Sequence, residues 1–174
     1  VDGGVFIMLF IIAILASLTL SACQSSLPIQ ATFNPQEASF IKQDGKGVIA
    51  GQAFLKRDNG RNVYASGEIV RLTPVTSYSS ERFAKLYDGR KFIRVLAIPR
   101  VEIDPVYASY TRTMKGDHMG RFRFDNVAPG RYFVSSSVTW REPDDFLPRG
   151  GAMYDMVEIT GKEERPVDVI LSGN

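Results

Sequence analysis

The chain has 174 residues, 44% of them hydrophobic and 23% charged, which is ordinary globular composition and excludes wholesale disorder. Its 21 Lys and Arg against 19 Asp and Glu leave a net charge of +2, too balanced to point to nucleic acid or an anionic surface as the partner. One Cys and one His exclude an internal disulfide framework and a zinc site built from several Cys or His ligands.

The chain opens on an uncharged apolar run, Val5 to Ala22, close to the shortest length that spans a bilayer. The run ends in Leu20, Ser21, Ala22 and Cys23, an aliphatic residue, two small residues and a cysteine. This resembles the lipobox of bacterial lipoprotein signal peptides. The resemblance implies a signal peptide over residues 1–22 and a Cys23 sulfur that receives a diacylglycerol. Cys23 is the only cysteine, and an acylated sulfur leaves no free thiol in an exporting compartment. One feature departs from the pattern: the only charge ahead of the run is Asp2, where signal peptides normally carry Lys or Arg. The alternative is an uncleaved N-terminal membrane helix, and both readings place the remainder outside the cytoplasm. Gln24 stands where an Asp would signal inner-membrane retention, so the expected location is the outer membrane, facing the periplasm, with lipid as the anchor.

Residues 23–46 are polar and mixed, with Pro28 and Pro35, and are expected to form a tether with a short ordered piece around Glu37–Ile41. A strand is expected from Gly47 to Leu55, with small or apolar residues on both faces as in a strand covered on two sides. Asp58-Asn59-Gly60 is a turn signal. Glu68 to Thr73 is a second strand, with Val70 and Leu72 on one face. Ser79 or Ser80 is expected to cap a short helix with Glu81 in its first turn and Phe83 with Leu86 or Tyr87 as its apolar stripe. Ile93, Val95 and Ala97 suggest a strand that Pro99 and Pro105 interrupt. Arg121-Phe122-Arg123-Phe124 alternates strictly between two turn-rich segments. Tyr132, Val134, Ser136, Val138 and Trp140 share one face of a longer strand, and Met156–Thr160 and Val167–Leu171 complete the set. Short strands punctuated by turns describe an all-β chain, a β-sandwich.

Three segments together, Gly47 to Leu55, Val70 to Pro74 and Gly120 to Tyr132, resemble the carboxypeptidase regulatory-like domain. The resemblance implies a seven-stranded, Greek-key, transthyretin-like sandwich over residues 47–174, with residues 75–112 as a helix-bearing insertion. Gly120 and Gly130 suit turn positions with positive φ. In that family the domain is usually an accessory module, and its fold superfamily resembles starch-binding modules. The resemblance is to the regulatory module and not to the zinc peptidase.

Little in the chain points to catalysis. His118 lies in a Gly-flanked turn without the Glu of an H-x-x-E motif, and no G-x-S-x-G elbow is present. The glycines of Gly45 to Gly51 are wrongly spaced for a dinucleotide loop. Asp117 with Asp125, and Asp144 with Asp145, are carboxylate pairs in turns, without the spacing of a calcium loop. No cofactor and no metal are therefore expected. The aromatics are the best binding candidates. Tyr107 and Tyr110 sit in the insertion among Arg and Lys residues and, with Arg100, are the expected partner-binding set; shielding of a sheet edge is the competing role. Trp140 is in phase with core residues but ends its strand, so core packing and ligand stacking both stay open. The expected function is a non-enzymatic, lipid-anchored periplasmic module with an interaction or structural role in the envelope, its expected partners the membrane and an envelope protein or polysaccharide. The alternative is a carbohydrate- or peptidoglycan-binding module.

Overall fold

The computed structural model describes residues 26–173. The apolar run, the lipobox residues Leu20, Ser21 and Ala22, and Cys23 lie outside the described residues. Among the described residues, no helix is long and apolar enough to cross a membrane.

The alternating stretches form strands and stack as two sheets. The first sheet is centred on β1 (Asp44–Lys56). β6 (Arg121–Val127) pairs with it antiparallel from Asp44 to Gln52, and β2 (Asn62–Tyr64) pairs with its far end. β9 (Val167–Leu171) runs parallel to β1, with Ile49 opposite Val167 and Ala53 opposite Leu171. The second sheet has the order β4 (Phe92–Arg94), β8 (Arg149–Ile159), β7 (Gly130–Trp140), β3 (Ile69–Pro74) and β5 (Arg112–Lys115). The long β7–β8 hairpin is its spine, paired without interruption from Gly130 opposite Ile159 to Trp140 opposite Arg149. The chain is thus a β-sandwich of nine strands among the described residues. The expected count of seven is low because β2 and β5, three and four residues long, are too short to leave an alternating pattern.

The core lies between the sheets. Ile49, Ala53, Val70, Leu72, Phe122, Phe124, Val134, Val138 and Leu171 are all buried there. Arg121-Phe122-Arg123-Phe124 places Phe inward and Arg outward as its alternation requires. β1 departs from expectation: Gly47, Ile49, Ala53 and Leu55 are buried, while Val48, Ala50, Gln52 and Phe54 on the opposite face are half exposed. The strand is fully covered on one side only.

Tyr132 is completely buried, and its hydroxyl donates to the Ala128 carbonyl at 2.7 Å, which satisfies the one polar atom of a large apolar body. Gly120 and Gly130 both take positive φ, 69° and 153°. At Gly130 a Cβ would lie 2.5 Å from the Phe40 ring, so the glycine makes room for Phe40, whose ring meets that of Tyr132 edge-on at 5.2 Å.

Phe40 belongs to the segment expected to be a tether, and that expectation is corrected from Leu27 onward. Residues 27–42 form a strap bound to the sandwich. Leu27 bridges to Val101, with its N–H donating to the Arg100 carbonyl at 2.7 Å and its carbonyl accepting from Glu102 N–H at 3.0 Å. Asn34 caps a four-residue helix, α1 (Pro35–Ala38), and a 3-10 turn over Ser39–Lys42 follows. Phe33, Ala38 and Ile41 are buried. Mixed polarity and two prolines suggest a tether locally, but the aromatic partners of Phe33, namely Tyr78, Tyr107 and Tyr110, come from distant parts of the chain.

The helix also begins earlier than expected. α2 (Ser77–Tyr87) is capped by Thr76, not by Ser79 or Ser80. The Thr76 hydroxyl accepts from Ser79 N–H at 3.1 Å and the Ser79 hydroxyl accepts from Thr76 N–H at 2.8 Å, a reciprocal capping box. Glu81 consequently leaves the first turn. Phe83 and Tyr87 are buried against Phe133 and Tyr154 on the outer face of the second sheet, with the Phe83 and Phe133 rings stacked 4.1 Å apart. After α2 the chain enters β4, which forms the edge of the second sheet beside β8. The span 75–112 therefore contributes to the sandwich rather than only decorating it. Its Ile93, Val95 and Ala97 divide between β4 and a 3-10 turn.

Candidate functional site

A cleft of about 560 Å³ lies at the end of the sandwich where β7 turns into β8. Its apolar lining comes from Leu55 of β1, Phe92 of β4, Val95 and Leu96 of the following turn, and Trp140 at the end of β7. The β7–β8 loop supplies Asp145, Leu147, Pro148 and Arg149, and the turn after β1 supplies Asp58. Concave, mostly apolar walls with a few convergent polar groups are the usual composition of a small-molecule site.

The polar groups are held in fixed relation. The Arg149 guanidinium bridges two carboxylates: Nε donates to Asp145 Oδ2 at 2.5 Å and Nη1 to Asp58 Oδ2 at 3.2 Å. Asp145, first, and Asp58 raise the Arg149 pKa further, so the guanidinium stays charged at any ordinary pH. Trp140 Nε1 donates to Glu142 Oε1 at 3.0 Å, and Arg57 Nη1 pairs with the same carboxylate at 3.2 Å. The Arg57 guanidinium carbon stands 5.5 Å from the indole centroid. These contacts fix the half-buried indole in one orientation. Gly150 makes the arrangement feasible. It sits at φ 92°, and a Cβ there would lie 2.1 Å from the Val138 carbonyl oxygen and 2.8 Å from indole Cζ3. At the rim, Leu96 is 62% and Leu147 61% exposed, and Phe146, next to Leu147 in the β7–β8 loop, is 95% exposed.

Trp140 packs on the end of the core, one of the two roles left open by the sequence, and its ring also lines the cleft. Tyr107, Tyr110 and Arg100 lie elsewhere. The Tyr107 and Tyr110 rings meet Phe33 at 5.7 and 5.3 Å, and Tyr78 completes the aromatic cluster. Lys42 Nζ sits 3.7 Å from the Tyr110 centroid. Burial pushes the Tyr107 phenol up to about 12. Arg100 is exposed and engages the strap through its carbonyl. The structure brings these three residues together around the N-terminal strap, and their described contacts are with this chain itself.

His118 is exposed in its turn. Asp117 accepts N–H groups from Met119 and Arg121, both at 2.8 Å, and these hold its carboxyl below the usual range. Asp125 pairs with Arg123, and Asp144 is exposed. Among the described residues, no cluster of three or more His, Cys, Asp or Glu is placed to hold a metal ion.

Sequence reasoning missed Asp58, Phe92, Leu96 and Arg149. Asp58 and Arg149 are 91 residues apart, and neither stands in a motif. The Asp58-Asn59-Gly60 turn and the Gly150-Gly151 pair were the only local signals near them.

No family model matches the chain, and no curated protein matches it. Among solved structures, the chain is similar to the crystal structure of a "putative carbohydrate binding protein" from Pseudomonas aeruginosa. The two share 28% identity, with a TM-score of 0.69, over 82% of this chain and 98% of that one.

Proposed function

We propose that this chain is a non-enzymatic carbohydrate-binding module of the bacterial envelope, held at the periplasmic face of the outer membrane by lipid on Cys23. The sandwich is of the transthyretin-like, Greek-key kind, akin to carboxypeptidase regulatory-like domains. The observation that carries the binding reading is the Trp140 cleft, in a chain similar along most of its length to a protein described in those terms. Sugars present two chemistries at once: apolar C–H faces and closely spaced hydroxyls. The indole of Trp140 with Phe92 answers the first, and the Arg149, Asp145 and Asp58 set answers the second with one donor fork and two acceptors. The anchor reading rests on the Leu20–Cys23 motif. The test is a pull-down of the full chain in mild detergent with insoluble peptidoglycan and insoluble polysaccharides. Retention by one of these that is lost in Trp140→Ala supports the proposal, and absence of retention by all of them rejects it.

A second reading is favoured by the rim. Phe146, Leu147 and Leu96 are more exposed than apolar side chains usually are, and together they suit a protein partner in the envelope. Crosslinking from the native envelope, with Phe146→Ser as the comparison, separates this reading from sugar binding, which relies on the cleft walls.

A further inference from the structure

A second concavity, of about 280 Å³, lies on the outer face of the five-stranded sheet and shares no lining residue with the Trp140 cleft. Its floor is the sheet, one wall is α2, and the other is the segment around Tyr107. A sheet face covered by a helix is ordinarily apolar. Phe133 and Tyr154 obey that rule beneath Phe83 and Tyr87. The floor of the pocket does not. Arg71 stands directly opposite Thr113 on one neighbouring strand and Ser135 on the other, so three polar side chains form a row across β5, β3 and β7. Thr73, two residues along β3, is buried and lines the same pocket as Tyr107.

Two cations serve this pocket and no carboxylate lines it. Arg82, on α2, is held in place by donating Nη1 to the carbonyls of Val101 and Glu102, at 3.2 and 2.8 Å. Arg71 makes no ion pair among the described residues. Arg71, Arg82, Tyr87 and Tyr107 all line this one space, with the Arg82 guanidinium carbon 5.9 Å from the Tyr107 ring centroid. Paired guanidiniums with hydroxyl donors and no competing acid are the donor set that recognises an oxyanion. The volume is at the lower end for small-molecule sites, so the occupant is small.

We infer that the pocket framed by Arg71 and Arg82 binds a small hydroxylated ligand bearing a carboxylate or a phosphate, such as a single-ring sugar acid or sugar phosphate. This site is separate from the Trp140 cleft and stands or falls independently of it.

The test is amide-shift NMR of the full chain in detergent micelles, titrated separately with glucuronate, glucose 6-phosphate and glucose. Saturable shifts at Thr73, Thr113 and Ser135 with glucuronate assign a carboxylate ligand, and with glucose 6-phosphate a phosphate ligand. Arg71→Gln is the decisive variant, because the Arg71 side chain makes no hydrogen bond or ion pair among the described residues. It should weaken the anion by about tenfold, the loss expected for one charge-assisted contact, while Trp140→Ala leaves it unchanged. The inference is overturned if neither anion shifts these amides, if glucose shifts them equally, or if Arg71→Gln binds as tightly as the unsubstituted chain.

Discussion

Glu81 Oε2 accepts the backbone N–H of Ala31 at 2.7 Å, and its Oε1 accepts that of Gln30 at 2.8 Å, joining two segments fifty residues apart. Lys85 closes the contact, pairing with Glu81 at 2.9 Å and donating to the Pro28 carbonyl. Glu37 repeats the device in reverse, accepting the Ser77 N–H at 2.9 Å at the start of α2. The strap and the helix therefore satisfy each other's unpaired backbone groups.

The Glu81 clamp makes strap docking sensitive to acid. The Gln30 N–H, then the Lys85 ammonium and the Ala31 N–H, lower the Glu81 pKa from 4.5 to about 2. A carboxyl whose folded pKa is depressed contributes stability above its unfolded pKa. That contribution declines as pH falls from about 4.5 towards 2. Glu81→Gln should therefore lower the Tm at pH 7, and the gap to the unsubstituted chain should close near pH 2. Thermal melts across that range check it, and an equal gap at both ends would show that the clamp charge is not responsible.

Tyr107 and Tyr110 pack against Phe33, which links their stability cost to the strap. The Tyr107→Ala, Tyr110→Ala double variant should lose about 3 kcal/mol, as large-to-small changes in packed aromatic clusters do. Urea titration measures it. A loss below about 1 kcal/mol, the usual range for exposed positions, would return the tyrosines to the role of free surface.

Tyr132→Phe removes one hydroxyl and leaves the Ala128 carbonyl without that donor. The expected loss is about 1 kcal/mol in denaturant unfolding, with the fold retained because the ring still fills its site. A neutral result would mean that water replaces the hydroxyl at the carbonyl.

Cys23→Ala should accumulate as an unprocessed precursor that incorporates no labelled fatty acid. Mass spectrometry of the envelope fraction decides it, and normal cleavage of the variant would remove the lipid anchor from the account.

How much of this was legible in the sequence follows from the range of each signal. Phe122 and Phe124 were legible because a strand with one buried face writes itself as alternation within four residues. The α2 stripe of Phe83 and Tyr87 was legible for the same reason at helical spacing. The cap was misplaced by one turn, since Thr76, Ser79 and Ser80 all have the right chemistry and only the backbone decides among them. The parallel pairing of β9 with β1 left no local mark, because register between strands more than a hundred residues apart is set by the core they share. The strap was hidden likewise: Phe33 looks like an isolated aromatic until Tyr78, Tyr107 and Tyr110 surround it. The cleft was legible only through Trp140, whose position at a strand end, in phase with Val138, already suggested a ring with one side in the core.

Trp140 is the only tryptophan in the chain, so its emission reports on the cleft without labelling. The most direct test of carbohydrate binding there is a titration of intrinsic fluorescence with soluble peptidoglycan fragments and a panel of oligosaccharides. The account predicts a saturable change in emission with at least one of them, weakened about tenfold in Arg149→Gln through loss of a charge-assisted hydrogen bond. An emission spectrum unmoved by every sugar, from a chain that melts cooperatively, would contradict it.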